Sequence, residues 1–538
     1  MNKSAKGESY RSFNALEKVC RGETSRSSRP KKHGRCMIPA RSSNTTIEVL
    51  PLNRQTNRRL SMDLDKNVED VLDQFASCAD VVLRRLTITK ARQKAAIIFI
   101  PEITDTVRIE QACIRPLLAL ADRRAALEHE DLQNELTILG MQQCRAIDDV
   151  IASIAAGDAV LLLDGTPQAT LLSTAKWEHR AVEKPENEVS IRGSLQAFNE
   201  DTRTNIGLVR QFLRGHELKI EKLTCGRMTK TPVHILYLDP IARPDQLQTV
   251  KERLQRIKLD SVLDAGYIEQ LIRDHPRSPF PTMGQTERPD RVAAQLVDGR
   301  IAIAVDHSPT MLTLPALFPE FFQVSEDYYA DFWIQSFHRL LRYAAFWVSL
   351  SLLSLYLIFL TYNPELLPTP LLLKLSAARM GIPSPTIVEV FLMGLLFEVL
   401  HEAGVRLPRP VGPAISIVGG LVVGEAAVSA GMVGAATVIA IAMSGILSFI
   451  VPSHSLTAAL RLLRFPLLLI TAMFGIVGFA VALLLLLLHM FSLTSFGDPY
   501  MQVAAPLRKR LVEDSVIRAP LDVLFKRSHN WGTRKGSQ

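Results

Sequence analysis

The chain has 538 residues, a formal net charge of +8 and a mean hydropathy of +0.13. That balance excludes a uniformly soluble chain: a polar front part is averaged with an apolar block of roughly 150 residues, and the length sets an expectation of two to four domains. The six cysteines, Cys20, Cys36, Cys78, Cys113, Cys144 and Cys225, all precede the apolar block. Their spacing fits no CxxC zinc pattern, and irregular thiols suit a reducing compartment better than a disulfide framework. No apolar stretch followed by a small-residue cleavage site marks a signal peptide at the N-terminus.

Residues 1–45 carry eleven Lys and Arg with few large apolar residues. They read as a disordered basic tail beside an anionic membrane surface, in preference to a nucleic-acid-binding arm. Residues 46–184 form a first soluble subdomain. It has helical patterns around 65–95 and 110–155, and strands at AIIFI (96–100) and VLLLD (160–164), the latter before a Gly-Thr-Pro turn. Residues 185–335 form a second, with helices around 197–215 and 244–275 and strands at HILYL (234–238) and RIAIAV (300–305). Both subdomains read as α+β or α/β, with the strand order open. An aromatic, acidic stretch, Phe318–Trp333, leads into the apolar block.

Residues 336–492 read as an all-α membrane domain of four to six segments: 341–362, 386–401, 411–430, 432–451 and 465–491. Arg339 and Arg342 before the first segment place the soluble part in the cytoplasm by the positive-inside rule. Residues 411–430 and 432–451 form a helical hairpin. A single crossing at 465–491 puts the tail 493–538 outside, yet its Lys and Arg residues argue for inside, so the parity stays open.

Carboxylates inside a bilayer are costly and mark pairs, cavities or ion paths. Glu389 and Glu398 sit at opposite ends of one segment, and Glu402 lies one helical turn before Arg406, an ion-pair spacing. Glu425 lies deeper, in SIVGGLVVGEAAVSAG (416–431). Ser416, Gly420, Gly424 and Gly431 give this segment a small-residue face for close helix packing. Val418, Val422, Glu425 and Ser429 form a second stripe, which in a ring of protomers lines a lumen with an apolar constriction and an acidic ring. Packing within one protomer and a shared pore both fit the spacing.

Motifs for enzymatic chemistry are missing: there is no GxxxxGK[ST], HExxH or GxSxG. LDGTP (163–167) and VDHSP (305–309) read as strand-end turns. TERPD (286–290) concentrates Glu287, Arg288 and Asp290 and reads as a salt-bridged interfacial loop.

Together PENEVSIRGSLQAFNEDTRTNIGLVR (185–210), FPTMGQTERPDRVAAQLVDGRIAIAVDHSP (280–309), EDYY (326–329), FEVLHEAGVRLPRPVGPAISIVGGLVVGEAAVSAG (397–431) and SFGDPY (495–500) resemble the A subunit of GerA-family spore germination receptors. The resemblance spans about 155–505. It implies a cytoplasmic two-subdomain N-terminal region and a multi-pass domain in the spore inner membrane. It also implies a transporter-like B subunit that binds the nutrient, a lipoprotein C subunit, and A subunits that oligomerise into an ion channel. It implies no catalytic residue, cofactor or metal. Glu425 stands where the family usually has Gln, His401 where Arg is usual, Gly434-Ala435 where Ser-Pro is common, and Asp498 where an apolar residue is usual. A secondary transporter, a scaffold subunit without its own pore and a membrane-anchored enzyme are the competing readings; the segments show no repeated halves of the transporter kind.

Overall fold

The structure is a computed structural model that describes residues 58–88, 93–119, 132, 135–138, 140–176, 185, 188, 192–406, 422, 424–501 and 514–520. The basic tail 1–45 and most of the tail after 501 lie outside the described residues.

The first soluble subdomain runs α1 (Leu64–Gln74), β1 (Val82–Thr87), β2 (Lys94–Phe99), a helical run over 106–119 called α2, β3 (Met141–Cys144), α3 (Ile147–Ala155), β4 (Ala159–Leu163) and β5 (Ala169–Leu172). The second runs α4 (Thr202–Phe212), β6 (Leu218–Cys225), β7 (Thr231–Leu238), α5 (Pro244–Gln255), α6 (Ala265–Ile272), β8 (Gly284–Thr286), α7 (Pro289–Val297), β9 (Ile301–Val305) and β10 (Met311–Leu314). Both sheets are wholly antiparallel, in the orders β1-β2-β4-β5-β3 and β6-β7-β9-β10-β8. Adding five to every strand of the first order gives the second. The soluble part is therefore α+β, not α/β, and is built from two copies of one topology.

The same local chemistry recurs in both copies. Asp63 caps α1 through Asp65 and Lys66, and Asp201 caps α4 through Arg203 and Thr204. Four residues after each cap, a buried Asn exchanges two hydrogen bonds with the residue six before it: Asn67 with Ser61 (2.8 and 2.7 Å) and Asn205 with Asn199 (2.9 and 2.6 Å). The turns β4–β5 and β9–β10 read Asp-Gly-Thr-Pro and Asp-His-Ser-Pro, with positive φ at Gly165 (84°) and His307 (68°). Each turn Asp accepts from the first amide of its subdomain's first helix: Asp164 from Leu64 and Asp306 from Thr202, both at 3.4 Å. A carboxylate there satisfies an orphan N–H and faces the positive helix end.

Three expected helical stretches differ, and one of them, 110–155, contains β3 before α3. The stretch 65–95 is helical only to Gln74 and then forms β1 and the first residues of β2, the strand expected at 96–100. β1 is an edge strand carrying exposed Arg84 and Arg85, so it lacks the apolar alternation by which a strand is read. The stretch 244–275 is two helices, α5 and α6, separated by 256–264.

The helical region comprises α8 (Phe332–Leu357, continued by a π turn, Ile358–Tyr362), α9 (Thr369–Ala378), α10 (Thr386–Arg406), helical residues 424–429, α11 (Ala435–Phe449) and α12 (His454–Ser492). Two of these, Phe332–Tyr362 and His454–Ser492, are long and apolar enough to cross a membrane. α10 has 21 residues but includes Glu389, Glu398, Glu402 and Arg406, and α11 has 15.

α12 is not one straight rod. Its 39 residues would extend about 58 Å at ~1.5 Å each, almost twice the hydrocarbon core. Gly475 interrupts it at φ 60° and ψ −142°. A Cβ on Gly478 would lie 2.7 Å from the carbonyl of Ile470, eight residues back, an approach that only a reversal of the chain allows. Both ends reach the second soluble subdomain. His454 shares a cavity with Arg288, and His489 bonds Ser278 at 3.0 Å. α12 is thus a helical hairpin folded at Gly475, and the Tyr362 ring fills the place of a side chain there, 3.0 Å from a built Cβ. The expectation of one uninterrupted segment at 465–491 missed this fold-back, because a glycine inside an apolar run carries no periodicity signal.

Candidate functional site at the junction of soluble and helical parts

The chain enters α8 through a buried ionic cluster. Asp327, fully buried, pairs with Arg339 (3.1 Å) and Arg342 (2.9 Å), and Arg339 also meets Asp514 (3.5 Å). The two arginines read as positive-inside markers are also structural. They tie the base of α8 to the turn before it and, through Arg339, to Asp514. The sequence signal for this role is the acidic EDYY motif at 326–329, which places Asp327 twelve residues before Arg339.

TERPD lies next to this entry. Arg288 makes a two-point pair with Asp290 (3.0 and 2.8 Å) and donates to the Ser194 carbonyl at 3.1 Å; both charged side chains are almost fully buried. Tyr329, three residues before α8, donates to Asp290 at 2.9 Å. Burial, then the Asp290 carboxylate, pushes its hydroxyl pKa up to about 12. Gly193 is required by the same contact: its φ is 104° and a Cβ would lie 2.5 Å from the Tyr329 ring. Glu287 contributes its carbonyl to Phe198 N at 2.8 Å. So Arg288 and Asp290 join the loop at 193–194, the start of α7 and the approach to the helical region.

After α12 the SFGDPY stretch forms a two-strand hairpin, Thr494–Ser495 with Asp498–Pro499. Phe496 enters the core of the second subdomain, and Tyr500 is buried among Phe280, Phe318 and Phe321. Asp498 pairs with Arg243 at 2.8 Å and accepts from Gln246 at 3.0 Å, which accounts for a charge at this position.

Within the helical region three of the four singled-out carboxylates face arginine. Glu389 is buried; it pairs with Arg379 (3.0 Å) and accepts from Gly434 N (3.0 Å) and Thr437 Oγ1 (3.2 Å), capping α11. Glu398 pairs with Arg461 (3.3 Å), whose Nη1 also lies 2.7 Å from His401 Nδ1. Glu402 and Arg406 form the expected exposed pair at 2.6 Å. Arg464, not flagged by sequence reading, is buried between α8 and α11: it donates to Ser349 Oγ (3.0 Å) and Ser444 O (3.4 Å), while Ser349 and Ser444 exchange two bonds of their own.

Glu425 has no ion pair among the described residues and is exposed, as are Val422 and Ser429. These three share a face by their spacing of three and four. Val418, Ser416 and Gly420 lie outside the described residues. Gly424 is buried, its Cβ position 3.6 Å from Val438 of α11, while Gly431 ends the helix at φ 65° with open space around it. Backbone conformation, not close packing, explains glycine at 431.

Among the described residues no group of three or more His, Cys, Asp or Glu is placed to hold a metal ion. A cleft of about 610 Å³ between the two soluble subdomains is lined by Asp80, Glu102, Thr202, Arg203, Lys222, His234 and Asp306. The turn motif VDHSP contributes Asp306 to this cleft, where its carboxylate is already engaged by Thr202 (2.7 Å). That bond and the cap on α4 make it a structural group.

Residues 69–530 match the family described as the Bacillus/Clostridium GerA spore germination protein. The chain is 38% identical over 490 residues to the uncharacterized membrane protein YfkQ of Bacillus subtilis (strain 168), covering 91% of this chain and 95% of that protein. It is 38% identical over 465 residues to spore germination protein KA of the same strain, covering 86% and 85% respectively. A solved structure, the N-terminal domain of the A subunit of the Bacillus megaterium spore germinant receptor GerK3, is 30% identical, with a TM-score of 0.39, covering 49% of this chain and 99% of that one.

Proposed function

Since the chain belongs to the GerA spore germination protein family, we propose that it is the A subunit of a nutrient-responsive germination receptor and that several copies assemble into a cation channel. One observation carries the channel reading. Glu389, Glu398 and Glu402 are each paired with an arginine of the same chain, whereas Glu425 has no ion pair among the described residues and stands exposed on a face with Val422 and Ser429. A carboxylate left without a partner inside a helical membrane domain belongs in a water-filled path or at a contact with another chain. In a ring of copies, residues 411–431 then supply an apolar constriction at Val418 and Val422 and an acidic ring at Glu425.

In this reading the protein is multi-pass in the spore inner membrane, with its soluble subdomains in the cytoplasm. The hairpin in α12 supports six crossings: α8, α10, 411–430, α11 and the two arms of α12. An even number returns the basic C-terminal tail to the cytoplasmic side, which removes the conflict between crossing count and charge. A transporter-like B subunit would supply nutrient binding, and a lipoprotein C subunit would complete the receptor. Its signal would reach the pore through the buried clusters at the entry to α8. The soluble-part duplication is not an inverted repeat of membrane helices, so it gives no support to a transporter.

The test is genetic and biochemical. Spores lacking this gene should lose germination toward one nutrient class and retain it toward others. The tagged chain should copurify with a transporter-like protein and a lipoprotein. Unchanged responses to every nutrient tested, with no such partners recovered, would refute the receptor reading.

A further inference from the structure

A cavity of about 320 Å³ lies where the second soluble subdomain meets the inner ends of α10, α11 and α12. Its walls carry Arg288 and Arg291 from the soluble side and Arg461, His401 and His454 from the helical side, against one carboxylate, Glu188. We propose that this cavity binds the phosphate group of an anion and that the bound anion holds the two parts of the chain together.

The carboxylates nearby engage only part of the donor capacity. Asp290 takes Nε and Nη2 of Arg288, and Nη1 of Arg288 is buried with no partner. Glu188 takes Nη1 of Arg291, at 2.8 Å. Glu398 and His401 share Nη1 of Arg461, and its Nε is likewise buried without one. A guanidinium presents five donors in a rigid fork suited to phosphate oxygens. Three such forks arriving from two different parts of the fold match a tetrahedral group with several acceptor oxygens better than a single planar carboxylate. Arg288 is almost completely buried beside the cavity, so a charge-assisted bond from its guanidinium is weakly screened by water.

Two sources share this chemistry. Phe449 lines the cavity and is also 59% exposed on the outside of the helical region, a route by which the headgroup of an anionic lipid enters from the side. A free phosphate reaches the same guanidiniums from the soluble side, past Ser325.

The experiment is amide hydrogen exchange on the purified full chain in maltoside micelles, following residues 322–326 and 448–461. Inorganic phosphate, phosphatidylglycerol and chloride of equal ionic strength are added separately. Binding at a concentration of about 100 Kd slows exchange limited by opening of this site by up to about a hundredfold. Slowing by inorganic phosphate assigns a free anion, slowing by phosphatidylglycerol alone assigns a lipid headgroup, and both support the site; chloride should do neither. Arg291→Gln and Arg461→Gln should each remove the protection while leaving exchange in the strands of the first subdomain unchanged. The wild-type measurement decides the matter even if a variant folds poorly. No slowing by either phosphate source, or slowing equal to that in chloride, overturns the proposal, as does protection that persists in both variants.

Discussion

Single buried charges at the junction carry distinct and measurable roles. Removing one partner of a buried pair leaves the other uncompensated, at about 3–5 kcal/mol. Arg339→Ala leaves Asp327, which is fully buried, with Arg342 as its remaining cation, and Arg288→Ala strands Asp290. Each should lower the amount of folded protein in the membrane, as read by immunoblot against an unrelated membrane protein. Arg288→Lys should rescue little, because an ammonium cannot make the two-point contact with Asp290. The thiols make a pH-dependent case. Cys113 and Cys225 are buried, while Cys144 is half-buried, and burial, then the Asp149 charge, pushes its pKa up to about 11. The thiolate is the reactive form. In a variant retaining only Cys144, the labelling rate should rise about tenfold per pH unit from 8 to 10, where an ordinary thiol with a pKa of about 8.5 levels off. A plateau near pH 9 would contradict that environment. At this scale the sequence was legible where charges cluster locally: Arg288 with Asp290 two residues apart, Glu402 with Arg406 four apart. It was silent on Arg339 with Asp514 and on Glu398 with Arg461, whose separations of 175 and 63 residues only the fold closes.

At the level of elements, the duplicated subdomain and the α12 hairpin follow from small local signals. Asp164 and Asp306 hold equivalent turns against equivalent helix starts. Asp306→Ala should cost about 1 kcal/mol, the usual worth of a helix cap, and lower the unfolding midpoint without altering any ligand response. The repeated Asp-x-Ser/Thr-Pro after an apolar strand was present in the sequence and marks the duplication; the helical pattern assigned over 65–95 hid it by absorbing β1. Apolar runs announce length but not direction, so the fold-back at Gly475 was not readable. Gly475 has positive φ and the Tyr362 ring against it, so Gly475→Val meets both backbone strain and a clash. That variant should reduce folded yield several-fold, whereas Ala472→Gly, three residues earlier and within the helix, should cost only about 1 kcal/mol. Equal yields for the two variants would argue against the turn.

For the whole molecule, the described contacts between the soluble part and the helical region include the Asp327 cluster, the Arg288–Asp290–Tyr329 contact, the Ser278–His489 bond and the hairpin carrying Phe496 and Tyr500. With α12 folded on itself, a tag after Gln538 and a tag before Ser61 should be protected or exposed together in sealed membrane vesicles; opposite accessibility would rule out an even number of crossings. The central claim is that 411–431 lines a cation path shared by several copies. Nutrient-triggered and basal cation release from spores, compared at matched receptor levels, tests it most directly. Val418→Ala should raise basal release without nutrient, and Glu425→Gln should keep assembly while reducing preference for cations. Unchanged basal release, triggered release and ion preference in both variants would contradict the claim and move the path to α10 or to another subunit.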